Sequence, residues 1–182
     1  MMIETSQETI RRTMTYNSNI TMNDEQRFAL YSIENLSELP FDRHAYSRYK
    51  YGDTRQAAIL GEQLSDGFLN RHGDDLLSSD QEFLGISSPR GIVPPAAYFI
   101  FKTFLENINR FFQSHQRKPI LEHTIQRLGT LAEDYSLLSR HERLERLIDE
   151  RYFIDRQPIG TKTLIFVDDI RITGFNKCDE FN

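Results

Sequence analysis

Thr163-Leu164-Ile165-Phe166-Val167-Asp168-Asp169-Ile170-Arg171-Ile172-Thr173-Gly174 is the stretch on which the reading of this chain turns. Its first five residues carry no charge and are rich in β-formers, which suits a strand buried on both faces of a parallel sheet. Two carboxylates follow at once. Open α/β sheets hold their ligands outside the carboxyl ends of the strands, so Asp168 and Asp169 stand where a ligand is expected. Side by side, two carboxylates are costly unless a cation or hydroxyl donors satisfy them. The run closes on Thr173-Gly174, a turn able to aim backbone N–H groups and a hydroxyl at one point, as an anion nest does. Acceptors for vicinal hydroxyls beside a phosphate cradle describe a receptor for ribose 5-phosphate. The bland alternative is a solvated acidic turn that ends a strand.

Working outward, Tyr152–Ile154 reads as a short strand. Ser139-Arg140-His141-Glu142 has capping-box spacing and opens a helix running to about Arg151. Pro119–Arg127 is ambiguous between strand and helix. Ala96–Phe112 follows Pro94 and Pro95 with apolar residues at helical spacing, proline being well placed in a first turn. The Phe/Tyr stripe of residues 98–112 reads as core. Ahead of it, Glu82–Ser87 is a short apolar run and Ser88-Pro89-Arg90-Gly91 a loop, so strand, loop and helix begin an α/β unit. A helix from an N-cap at Thr54 to about Leu69 is carried by Ala57, Ala58, Leu60, Leu64 and Phe68, with Gly73–Asp80 a polar loop after it. Asp42–Asp53 reads as a polar, aromatic loop closed by a Gly52-Asp53 turn, and Arg27–Ile33 alternates like a strand. Residues 1–25 form a polar N-terminal arm and 26–182 a single domain. Strands alternating with helices predict an α/β fold with a Rossmann-like, mainly parallel sheet.

The chain has 182 residues, 38% of them hydrophobic, which allows one well-buried core and argues against disorder throughout. A net charge of -5 makes a chain-wide clamp for nucleic acid an unsuitable reading, so an anionic ligand needs a local site. Arg48 and Lys50 among Tyr46, Tyr49 and Tyr51 form too short a stripe to change that; an amphipathic loop is the plainer reading, a phosphate contact the sharper one. The single Cys178 rules out an internal disulfide and a thiolate cluster. His44, His72, His115, His123 and His141 lack metal-ligand spacing and read as surface or helix residues. The polar start and the lack of a long apolar run set the expectation of a cytoplasmic protein with no membrane partner. Ser87 and Ser88 have neither an elbow motif nor a nearby base and are rejected as nucleophiles.

The eleven residues Leu164–Gly174 resemble the binding loop of type I phosphoribosyltransferases: apolar strand, two acidic residues, two apolar positions and a variable one, then Thr-Gly. That resemblance implies that Asp168 and Asp169 engage the ribose 2′- and 3′-hydroxyls. It implies a 5-phosphate loop made by Ile172, Thr173, Gly174, Phe175 and Asn176. It also places a pyrophosphate loop at Ser87, Ser88, Arg90 and Gly91, with Arg90 facing the leaving group, while Arg171 reads equally as a surface charge. The ligand implied is phosphoribosyl pyrophosphate or a nucleotide, and the cofactor Mg²⁺, which Asp168 and Asp169 meet only indirectly through that ligand. A homodimer is one assembly the resemblance allows.

A weaker resemblance over most of residues 27–174 is to the phosphoribosyltransferase-like proteins of tellurium-resistance gene clusters. It rests on Tyr46-Ser-Arg48-Tyr-Lys50-Tyr-Gly52-Asp53, Ser87-Ser88-Pro89, Asp134-Tyr135-Ser136 before Ser139-x-x-Glu142-Arg143, and Asp168–Gly174. The implied activity is phosphoribosyl transfer to a nitrogenous base or its reverse. Loops around 115–135, carrying Arg117, Lys118 and Arg127, would close over the site. The alternative is a nucleotide or sugar-phosphate binding module of a stress-response system, without turnover. Two departures favour that alternative. Phe175 and Asn176 replace a small residue and a hydroxyl, and the sequence ends eight residues past Gly174, so the fold is expected to lack its last elements.

Overall fold

The structure, a computed structural model, describes residues 28–32, 39–91, 93–128 and 151–169. Helix α1 spans Arg43–Lys50, α2 Thr54–Ser78 and α3 Ala96–Ser114. Strand β1 is Phe83–Ser87, β2 Leu121–His123, β3 Gln126–Leu128, β4 Arg151–Phe153 and β5 Thr163–Val167. Strands β2, β1 and β5 form one sheet in that order, and both pairings are parallel. The register sets Leu84 against Leu164 and Ser87 against Val167. An antiparallel ribbon of β3 and β4 stands apart from it, joined to the loop after β1 by a bridge between Arg90 and Gln126. The α/β architecture with a parallel sheet is therefore as the sequence implied.

Helix α3 forms because its buried residues Ala97, Ile100, Phe101, Phe104, Leu105, Ile108 and Phe112 recur three and four apart and make one apolar stripe. That stripe packs on β1. Gly85 lets it approach: a Cβ there would stand 3.2 Å from both Leu105 and Phe101. On its other flank α3 receives α2, where Gly61 meets Thr103 and the Ile100 carbonyl. Buried Ser65 joins the two helices, donating to the Glu62 carbonyl at 2.8 Å and accepting from Asn107 at 2.9 Å. Asn109 then grips the backbone N–H and carbonyl of Ile120 at 2.7 and 3.0 Å, which seats the start of β2.

Several expectations change. Helix α2 continues to Ser78, so Gly73–Asp80 is not a loop over most of its length. Its polar residues face water while Gly73 and Leu76 are buried, Gly73 against Phe111. The N-cap is Asp53, not Thr54: its carboxylate accepts from the Arg55 and Gln56 N–H groups. Asp42–Asp53 is largely helix. Asp42 caps α1 through the His44 N–H, and Gly52, at φ 95°, ends it with the Asp53 N–H bonded to the Arg48 carbonyl.

Of the expected strand Arg27–Ile33, residues 28–32 pair with no described strand; Phe28 and Leu30 instead lie over Gly67 of α2. Strand β5, like β2, is an edge strand of the described sheet, with Phe166 about half exposed, whereas β1 is the buried centre. Pro119–Arg127 resolves into β2 and the start of β3. The expected helix from Ser139 to about Arg151 and the arm at 1–25 lie outside the described residues. No helix among those described is long and apolar enough to cross a membrane.

Candidate functional site

Parallel pairing brings the carboxyl ends of β1 and β5 side by side, and β2 lies on the opposite flank of β1. The crevice between β1 and β5 is thus a point where the strand order reverses, the place where open α/β sheets bind ligands. Ser88, just past β1, donates its hydroxyl to Asp168 Oδ1 at 2.6 Å, and the Asp169 N–H reaches the same oxygen at 2.9 Å. Asp169 is held from another direction. The Tyr49 hydroxyl donates to its Oδ2 at 3.1 Å, and Lys50 Nζ pairs with that oxygen at 2.5 Å. Asp168 Oδ2 and Asp169 Oδ1 receive no bond from any described residue. Among the described residues each carboxylate is anchored through one oxygen, Asp168 by Oδ1 and Asp169 by Oδ2.

The electrostatics follow from this packing. Burial works against the Lys50 ammonium, but the hydrogen bond and charge of Asp169 outweigh it and hold its pKa above the ordinary value. Burial first, then Asp169, pushes the Tyr49 phenol far up, so it remains a donor through the neutral range. Tyr46, its ring centroid 5.6 Å from that of Tyr49, moves up for the same two reasons. Lys50 leaves the acidic pair with one uncompensated negative charge instead of two.

Not every expected residue converges here. Ser87 is buried and donates only to the Ser88 carbonyl. Arg90 does not contact the acidic pair: its guanidinium lies over the Tyr98 ring at 4.4 Å, donates to Thr124 and sits 3.8 Å from Glu122. Gly91 is exposed, and a Cβ there would meet nothing within 4 Å. Arg117 and Lys118 lie at the opposite end of the sheet. Arg117 donates to the Leu77 and Ser79 carbonyls at 3.0 and 2.7 Å, and Lys118 pairs with Glu82, just before β1. They are structural there and do not close over the acidic pair. Arg127 belongs to β3, its N–H bonded to the Arg90 carbonyl. Residues Ile172–Asn176 and Arg171 lie outside the described residues.

Lys50, read in the sequence as part of an amphipathic loop or as a phosphate contact, instead lies on a helix and pairs with Asp169, and Tyr49 joins it; the sequence reading assigns neither to the acidic pair. The available signal was the Tyr46–Asp53 motif itself, where Tyr46 and Tyr49 share a helical face and the lysine follows. A cavity of about 550 Å³ lined by Glu106, Asn109, Arg110, Gln113, Arg117 and Pro119 lies beside the approach to β2. It is remote from the acidic pair, and its lining holds no acid–base or nucleophile pairing. Among the described residues no group of three or more His, Cys, Asp or Glu could hold a metal. Asp169 already holds an ammonium, so the acidic pair fits Mg²⁺ only as an ion carried by a ligand.

The fold is a parallel α/β sheet with an anchored acidic pair at the point where its strand order reverses. Residues 25–178 match the family described as PRTase ComF-like, and the chain belongs to that family, which is of the phosphoribosyltransferase type. No curated protein and no solved structure gives a significant match.

Proposed function

We propose that the chain binds phosphoribosyl pyrophosphate at the β1–β5 crevice and transfers its phosphoribosyl group to a nitrogenous base, or runs the reverse reaction. The observation that carries this is the pair of carboxylates at the strand ends, Asp168 and Asp169, each anchored through one oxygen and left with the other to accept from one hydroxyl of a vicinal diol. The Ile172–Asn176 segment would hold the 5-phosphate. The backbone after β1, at Ser88 to Gly91, would face the pyrophosphate, with Arg90 acting through the loop it braces instead of touching the leaving group. Substitution at the anomeric carbon passes through an oxocarbenium-like state, so positioning and charge stabilisation are the work left to the protein. Mg²⁺ arriving on the pyrophosphate supplies charge neutralisation of the leaving group.

The Tyr46–Asp53 motif ties the chain to the proteins of tellurium-resistance clusters by resemblance, and a stress-response setting is part of this proposal. Phe175 and Asn176 favour a second reading, a binder without turnover; release of pyrophosphate in the presence of candidate bases separates the two. Binding itself is read by thermal unfolding. At about 100 times its dissociation constant the ligand adds roughly 2.7 kcal/mol to the folded state, which raises the melting temperature. The rise is expected with phosphoribosyl pyrophosphate and Mg²⁺ and is expected to vanish in Asp168→Asn/Asp169→Asn. A well-folded protein whose melting temperature does not move would remove both readings.

A further inference from the structure

Helix α1 contributes two groups to the candidate site from 119 and 120 positions earlier in the chain, and both converge on the same oxygen, Asp169 Oδ2. The Tyr49 ring is fully buried against the core, so its hydroxyl has one place to be. The Asp169 side chain is 8% exposed, while that of Lys50 remains 45% exposed. A phenol and an ammonium on one oxygen fix the carboxylate plane, which a single donor would leave free to turn. On Asp168 the Ser88 hydroxyl and the Asp169 N–H do the same from the β1 side. A diol needs two acceptors at a set spacing, and acceptors that are already ordered lose less freedom when the ligand arrives. The ammonium also removes one of two negative charges that a phosphate ester would otherwise meet.

We propose that Tyr49 and Lys50 are positioning residues for the ligand diol, fixing Asp169 by Oδ2 and cancelling its charge so that Asp169 Oδ1 and Asp168 Oδ2 stand as a preset pair of acceptors. This rests on the ribose-phosphate reading of the crevice. A purely structural role, fastening α1 to the sheet, would change stability and leave the affinity of the folded protein alone.

The test is a titration of the full chain with phosphoribosyl pyrophosphate and Mg²⁺, and separately with ribose 5-phosphate. Wild type, Lys50→Met, Lys50→Arg and Tyr49→Phe are compared well below the melting temperature of each. Lys50→Met is expected to weaken both ligands about tenfold or more, the scale of a lost hydrogen bond to a charged group. Lys50→Arg, which keeps the charge, is expected to recover most of that loss. Tyr49→Phe keeps the buried ring and is expected to weaken binding severalfold; it carries the test if Lys50→Met does not fold. Equal affinity in wild type and folded Lys50→Met or Tyr49→Phe overturns the positioning role and leaves the ribose-phosphate reading standing. A wild type that binds neither ligand overturns that reading, and the positioning role with it.

Discussion

Phe101→Ala is expected to lower the unfolding free energy by about 3–5 kcal/mol, the range for emptying a phenylalanine site in a packed core. Phe101 is 0% exposed and sits where α3 meets the sheet, its ring against Gly85 and near Tyr98. On one side is the central strand, held between two parallel neighbours; on the other are Ile100, Phe104 and Leu105 of its own helix. A site that cannot collapse retains its cavity, so the loss falls toward the top of the range. Small domains have about 5–15 kcal/mol in total, which makes this a large share. Urea unfolding checks it: the midpoint should fall with little change in slope. Because β1 leads directly to Ser88, the same variant should also bind ligand more weakly near its melting temperature.

The opposite error is as damaging at the interface of α2 and α3. Gly61 is buried, and a Cβ there would stand 2.7 Å from Thr103 Cβ and 2.8 Å from the Ile100 carbonyl oxygen. The carbonyl belongs to the helix backbone and cannot turn aside, so a side chain at 61 must push the helices apart. Overpacking of this kind costs about 1–3 kcal/mol, and Gly61→Leu is expected at or beyond the upper end. Any gain from removing a helical glycine is about 1 kcal/mol at most and does not offset it. Separated helices would also strain the bond between Ser65 and Asn107. Thermal unfolding of Gly61→Leu beside Gly61→Ala measures the graded loss, the larger side chain giving the lower melting temperature.

The acidic pair and β5 were legible because an uncharged, β-rich run stops abruptly at two carboxylates, and nothing further along the chain is needed to see it. Helix α3 was legible for a similar reason: seven buried positions keep one helical period. Helix α1 was not, because its apolar face is built from tyrosines set among charges, and its boundaries come from Asp42 and Gly52 acting as caps. The end of α2 was misread since Asn70, Arg71, Asp74 and Asp75 crowd its solvent face, hiding Gly73 and Leu76 beneath. The clamp of Tyr49 and Lys50 on Asp169 joins residues about 120 apart, and no local pattern encodes such a contact. Arg90 shows the converse. Its position in a strand-to-helix loop pointed to a ligand, yet a tyrosine face and Thr124 claim the guanidinium.

Amide hydrogen exchange, with and without phosphoribosyl pyrophosphate and Mg²⁺, reports where on the chain the ligand acts. Slowed exchange is expected at the end of α1 around Tyr49 and Lys50, at Ser87–Gly91 and at Val167–Asp169. Protection centred instead on the cavity between Glu106 and Pro119, or exchange unchanged everywhere at saturating ligand, would contradict binding at the β1–β5 crevice.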